Sequence, residues 1–246
     1  MIIDTHVHIG RGHRLSDTYQ IDQKVETVLS AMEEAGVDKT CVMPVSYDDY
    51  EPAIQEVKAA VDANPDKLIG YGRFNLNDRE KATDQLRRSL DEYGFRGVKI
   101  HPGQGDGFPT RWFMEIMSEY RRPLLLHTHP NLETIEAFSL LAKAYPAVPV
   151  IAGHMGGFAV FYPGFVKLLA TEAKQIDNLY LDTAFVLLHQ WIAMAVEICG
   201  PEKVLFASDG PVAHPAITRK QIELCHFSDE ENELILGGNA KKLLGL

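Results

Sequence analysis

The stretch PLLLHTHPNLETIEAFSLLAKAYPAVPVIAGH, residues 123–154, decides how this chain is read. An apolar run from Leu124 to His127 is followed, after Pro130, by a helical pattern from Leu132 to Tyr145. A second apolar run, Val148 to Ala152, then leads into Gly153 and His154. Short apolar runs separated by one helical pattern read as strand, helix, strand, the repeating unit of a parallel sheet. Both runs close on a histidine, so each strand carries an imidazole to the same end of that sheet.

The alternation continues outward in both directions. Further strands are expected roughly at Ile2 to Asp4, Thr40 to Val45, Leu68 to Phe74, Gly97 to Ile100, Leu179 to Leu181 and Val204 to Ala207. Helical patterns fill the gaps at Lys24 to Ala35 (stopped by Gly36), Glu51 to Ala63, the segment after Asp78, Trp112 to Tyr120, Phe165 to Ile176, Trp191 to Ile198 and Ile217 to Cys225. Eight such units predict an α/β fold, a (β/α)8 TIM barrel formed as a single domain over residues 1–246. A doubly wound open sheet is the competing architecture, because periodicity does not specify closure. Short helices over Asp229 to Leu236 and Ala240 to Leu244 are expected to pack on the barrel. Ser228 and Glu231 match a capping box at the start of the first of them.

In such barrels the chemistry lies on the loops after the C-terminal strand ends. Asp4-Thr5-His6-Val7-His8 places two histidines on one side of an extended segment. Later strands end in His127, in Gly153-His154 and in Ala207-Ser208-Asp209. Each of these histidines taken alone reads well as a satisfied polar residue, but five groups at neighbouring strand ends suggest one convergent site. Neutral imidazoles and a carboxylate match a borderline divalent ion such as zinc, with a coordination position left for water. His6, His8, His127 and Asp209 are the expected metal ligands, one ion per chain. Asp209 and His154 are the expected catalytic pair, the first managing a proton and the second acting as acid or base.

Alternation also puts Lys99 and His101 on one face of their strand. Lys99 has three readings: contact with an acidic substrate, a carbamate bridging two ions, or an internal salt bridge; substrate binding or ion pairing is preferred. His101 and Arg73 are expected substrate contacts, with Arg11 and Arg14 as weaker ones. Asp182 is a candidate to orient a ligand histidine, Asp4 to support the site from behind, and His214 and Arg219 to line the pocket. Pro102 to Pro109, around Gln104 and Asp106, reads as an active-face loop. The glycines of Gly153 to Gly157 match no nucleotide-binding fingerprint and are expected to allow close approach at the metal pocket. Phe158, Phe161, Tyr162 and Phe165 divide between substrate wall and ordinary packing.

Composition narrows the partners. With 34 acidic against 24 basic residues, a net charge of -10 and no basic run, the chain offers little to a nucleic acid. No segment has membrane-spanning length. Cys41, Cys199 and Cys225 have neither disulfide nor metal spacing, which fits a reducing compartment, so a cytoplasmic location is expected. The expected partner is a small anionic substrate, and an exposed apolar patch would fit a homodimer.

The ordered set His6-x-His8, Gly94-Phe95-Arg96-Gly97-Val98-Lys99-Ile100-His101-Pro102, Leu126-His127, Gly153-His154-Met155-Gly156-Gly157 and Phe206-Ala207-Ser208-Asp209 resembles the amidohydrolase-related family of metal-dependent barrel enzymes. The close from Gly237 to Leu244 is similar to that family's. The resemblance implies the first ligand pair at His6 and His8, the strand-five ligand at His127, the strand-eight carboxylate at Asp209 and the strand-six functional histidine at His154. Lys99 sits where binuclear members carry a lysine, but its Lys-Ile-His-Pro context is closer to single-metal members. The family holds hydrolases of cyclic esters, non-oxidative decarboxylases and a hydratase. The leading expectation is a metal-dependent hydrolase using metal-activated water on a small carboxylated substrate. The alternative is a metal-dependent decarboxylase of an unsaturated acid, and a metal-binding scaffold without activity is a third class.

Overall fold

The computed structural model describes residues 1–10, 20–47, 49–156 and 163–246. Eight strands run in chain order through one parallel sheet. They are β1 (Ile3–Ile9), β2 (Lys39–Pro44), β3 (Leu68–Arg73), β4 (Gly97–Ile100), β5 (Leu124–Leu126), β6 (Val150–Ala152), β7 (Leu179–Asp182) and β8 (Val204–Leu205). A parallel bridge between Val7 and Gly210 returns the sheet to its first strand, so the open-sheet alternative is set aside in favour of the barrel. The sequence expectation ended the first strand at Asp4. It runs instead through His8, because a shift in register between Asp4 and Val7 lets β1 stay beside β2 after the irregularity.

The helices between the strands are α1 (Val25–Ala35), α2 (Tyr50–Ala63), α3 (Arg79–Asp91), α4 (Arg111–Tyr120), α5 (Leu132–Ala144), α6 (Pro163–Gln175), α7 (His189–Cys199) and α8 (Pro215–Glu223). Their ends follow local chemistry. Asp78 and Asn131 accept backbone N–H bonds from Lys81 and Thr134 at the starts of α3 and α5. Gly36 ends α1 with φ 65°, a conformation that suits glycine, and its N–H returns to Glu33 and Met32. Each helix turns one face to the sheet; on α1 that face is Val28, Met32 and Ala35.

Side chains alternate across the strands, and two apolar layers result. One, including Val42, Val98, Leu124, Val150 and Val204, packs under the helices. The other fills the barrel with Ile3, Cys41, Met43, Ile69, Tyr71, Leu125, Ile151 and Leu205. Gly97 makes this filling work, since a Cβ there would lie 2.4 Å from the Tyr71 ring. The chain then adds α9 (Asp229–Glu233), opened by the Ser228/Glu231 capping box, a π turn from Leu234 to Gly238, and α10 (Asn239–Leu244). Ala240 and Leu244 join the interior layer, and Asn239 donates to the carbonyls of Pro201 and Val204. The tail is thus part of the barrel's packing. No helix among the described residues is long and apolar enough to cross a membrane.

Candidate functional site

The C-terminal ends of β1 and β8 bring His6, His8 and Asp209 together. His6 Nε2 and His8 Nε2 lie 3.4 and 3.5 Å from Asp209 Oδ1. The partners of the other ring nitrogens fix the tautomers. His6 Nδ1 is 2.9 Å from Asp182 Oδ2, and His8 Nδ1 is 3.1 Å from the Pro44 carbonyl, so both carry their proton on Nδ1 and donate it away from the site. Two lone pairs and a carboxylate oxygen then face one another. Burial keeps both imidazoles neutral, with Lys99 reinforcing it at His6 and the His6 ring at His8. Burial also raises the Asp209 carboxyl above the usual range. Facing acceptors repel; the Lys99 ammonium on His6 Nε2 and the proton that burial favours on Asp209 relieve this, and a bound cation would take their place. This donor set, two imidazole nitrogens and a carboxylate backed by Asp182 and a carbonyl, fits a divalent metal ion.

Lys99 supplies the nearest positive charge. It is fully buried on β4, with Nζ 3.0 Å from His6 Nε2, and burial lowers its pKa. The geometry gives it a contact outside its three sequence readings, the Nε2 of His6.

His127 and His154 lie beside this group and form a relay. His154 Nδ1 is 2.9 Å from the Ala184 carbonyl and therefore carries the proton. Its Nε2 accepts from His127 Nδ1 at 2.9 Å, which leaves His127 Nε2 with a lone pair. Desolvation lowers both rings, His154 to about 4. His154 stands at φ 62°, its backbone N–H held by Asp182 Oδ1 at 2.6 Å. Asp182 therefore orients the His6 ring and the His154 backbone at once. Gly153 allows the approach: a Cβ there would sit 3.1 Å from the Leu126 carbonyl.

His127 is not within the compact His6, His8, Asp209 group. It belongs to a second set with His101 and His129. His101 stacks on His127 with centroids 3.6 Å apart and planes at 12°, so their lone pairs lie in nearly parallel planes and do not meet at one point as they stand. His101 Nδ1 is buried without a hydrogen-bond partner. Desolvation by burial holds this ring neutral, and the Lys99 charge adds to the effect.

Arg73 donates Nε and NH2 to Asp106 at 2.8 and 3.3 Å, and NH2 also to Gln104 Oε1 at 2.9 Å. Its fork is engaged by the chain's own loop, whose carboxylate Asp106 also accepts from Tyr50 Oη and the His101 N–H. The loop of Pro102 to Pro109 was legible as an active-face loop; that Asp106 pairs with Arg73 was not, because they are 33 residues apart.

These groups open into a cavity of about 640 Å³ lined by His8, Arg73, His101, Gln104, His127, His129 and Asp209, with Ile21, Val45, Phe185 and Val212 as apolar walls. The apolar residues carry no sequence signal that sets them apart from core. His214 and Arg219 lie elsewhere: the first caps α8 and faces Glu34, the second donates to the Ala35 carbonyl. Phe165 packs against the core under the helices. Arg11, Arg14, Phe158, Phe161 and Tyr162 lie outside the described residues.

Comparison with known proteins agrees with this architecture. A 2-keto-4-carboxy-3-hexenedioate hydratase from Sphingobium sp. (strain NBRC 103272 / SYK-6) is 23% identical over 235 residues, covering 76% of this chain and 68% of the relative. A dihydroxybenzoic acid decarboxylase from Polaromonas sp. JS666, solved with manganese and the inhibitor 2-nitroresorcinol, superposes with TM-score 0.76 at 17% identity, covering 100% of this chain and 97% of that one. A TIM-barrel protein from Bordetella bronchiseptica gives TM-score 0.78 at 19% identity, covering 99% and 98%. The amidohydrolase family model matches residues 3–246, nearly the whole length, and the chain belongs to that family.

Proposed function

We propose that this chain is a metal-dependent lyase that decarboxylates a small unsaturated or aromatic carboxylic acid. The observation that carries the reading is the set of three facing acceptors, His6 Nε2, His8 Nε2 and Asp209 Oδ1, at the floor of a cavity with apolar walls. That volume falls within the roughly 300–1,000 Å³ usual for small-molecule sites. The decarboxylase named among the structural relatives supports this reaction over the hydrolysis that led the sequence expectations. Hydrolysis remains the alternative.

In this reading His6, His8 and Asp209 hold one divalent ion, with His127 offering its Nε2 as a fourth donor. The set suits Mn²⁺, present in the Polaromonas relative, as well as Zn²⁺. When bound, the ion supplies Lewis acidity toward substrate oxygens. The flat, apolar walls Phe185, Val45 and Val212 receive the carbon skeleton and exclude water. Asp209 gives a proton to the carbon bearing the carboxylate; the carbon–carbon bond then breaks, and its electron pair returns to the skeleton as carbon dioxide leaves. His154, with both ring nitrogens engaged, fixes the tautomer of His127 and takes the positioning role in place of the acid–base role. His101 and Gln104 line the cavity and face the substrate's polar groups, Lys99 lies buried against His6, and Arg73 anchors the loop that carries Gln104.

The test is incubation of Mn²⁺- and Zn²⁺-loaded protein with 2,6-dihydroxybenzoate, unsaturated dicarboxylates and lactones in D₂O. Carbon dioxide release with one deuteron placed on the product carbon supports the proposal. Water addition without carbon dioxide moves the assignment to a hydratase, and lactone opening alone restores the hydrolase.

A further inference from the structure

We infer that Asp4 and Ser208 form a positioning pair that holds the two halves of the cation site, the His6–His8 strand and the Asp209 turn, in register. The inference rests on the metal-binding part of the proposed function.

The seam between β8 and β1 is where the barrel's ladder is thinnest. Each consecutive pair from β1 to β8 shares at least two registered partners, whereas across the seam the bridge is the single pair Val7 and Gly210. Yet the ligands come from both sides of this seam. Three backbone bonds cross it: Thr5 N–H to Phe206, Asp209 N–H to His6 and His8 N–H to Gly210. One side chain ties them together. Asp4 Oδ1 accepts from the His6 and Ser208 N–H groups at 3.2 and 3.0 Å, and Asp4 Oδ2 accepts from Ser208 Oγ at 2.5 Å. Ser208 Oγ in turn accepts from the Gly210 N–H at 3.0 Å. A single carboxylate thus reaches the backbone of one ligand and, directly or through one hydroxyl, the residues on both sides of another.

Asp209 needs that support. It stands at φ 64°, a region a non-glycine residue occupies only when its surroundings hold it there. Ser208 and Gly210, its two neighbours, are fastened by the same hydroxyl. Loss of the pair frees the turn to relax, which would carry Asp209 Oδ1 away from the two imidazole nitrogens. The pair borders a cavity of about 90 Å³ shared with Val28, Met32, Thr40 and Ala213, so deleting the hydroxyl enlarges an existing space.

The experiment titrates metal-stripped protein with Mn²⁺, by calorimetry and by the electron paramagnetic resonance of the bound ion. Ser208→Ala and Asp4→Asn are expected to bind Mn²⁺ about 10- to 100-fold more weakly, with an altered resonance line shape. Ser208→Thr, which keeps the hydroxyl, should bind as the unsubstituted chain does. Asn239→Ala removes buried hydrogen bonds at the opposite end of the barrel and should leave the affinity within about twofold. Equal affinity in the unsubstituted, Ser208→Ala and Asp4→Asn proteins overturns the inference while the proposed function stands; should Ser208→Ala fail to fold, Asp4→Asn decides alone. An unsubstituted chain that binds neither Mn²⁺ nor Zn²⁺ overturns the proposed function and the inference with it.

Discussion

The two halves of the barrel mouth answer the cost of buried charge in opposite ways. On the β3–β4 side, Arg73 and Asp106 are each 1% exposed and cancel each other, with Tyr50, Gln104 and the His101 N–H completing their hydrogen bonds. On the β1–β8 side, His6, His8 and Asp209 turn three acceptors toward one point, and the buried Lys99 ammonium lies against His6. Burial of polar groups is therefore common to both halves and diagnostic of neither. The balance of donors and acceptors is what separates a finished ion pair from a group of facing acceptors suited to a cation.

Asp209→Asn tests the contrast with the largest effect. It is expected to lower kcat/KM by about 10²- to 10⁴-fold, because the proton carrier is lost. Its melting temperature should hold or rise, since asparagine tolerates the positive φ of 64° and no buried carboxylate remains. The corresponding change on the other half, Asp106→Ala, should instead cost about 3–5 kcal/mol of stability by stranding Arg73. Urea unfolding measures both. A double replacement, Arg73→Met with Asp106→Leu, should recover much of the loss, and comparable destabilisation by Asp209→Asn would erase the distinction.

Acidity sharpens the comparison next. In the metal-free protein, burial lowers the pKa of His6, His8, His101, His127 and His154, so these rings stay neutral in the folded state while the unfolded chain protonates near 6.5. Each contributes stability above that pH and loses it as the pH falls, toward about 4 for His154. Asp4, raised to about 7, and Asp182 and Asp209, also raised, have the opposite sign, contributing stability that disappears as pH rises through the folded pKa. The imidazoles outnumber these carboxyls, so stability should fall on acidification below about 6.5, and should decline more shallowly in the other direction as pH rises from there through about 7. Thermal melts across pH 4–8 without metal check the sign; a stability that rises steadily toward pH 4 would show that the imidazoles are not held neutral.

Much of this was legible in residue order. Strand ends at His127 and His154 could be placed because apolar runs stop abruptly there, and Gly97 to Ile100 was read to the residue. The grouping of His6, His8 and Asp209 followed from the barrel's rule that strand ends share a face. Three features were out of reach. The register irregularity between Asp4 and Val7, past which β1 stays paired with β2 as far as Ile9, leaves no compositional mark. The pairing of Arg73 with Asp106 and of Asp4 with Ser208 joins residues 33 and 204 positions apart, and only closure of the barrel brings them into contact. The engagement of both His154 nitrogens depends on a carbonyl at Ala184 and on the facing ring of His127.

The smallest effect asks how far the cation site extends toward β5. His129 lies beside His127, its ring 4.9 Å away, and its Nε2 occupies the space that a Cβ on Gly103 would fill, at 2.3 Å. Gly103→Ala should therefore push the His129 ring aside without touching His6, His8 or Asp209. If the ion belongs to the β1–β8 side, Mn²⁺ affinity changes by less than about twofold, as expected for sites without shared partners, and KM rises as the cavity wall moves. A marked loss of metal affinity would mean that His129 or His101, beyond the His127 donor, takes part in holding the ion, and the division of the mouth would have to be redrawn to include them.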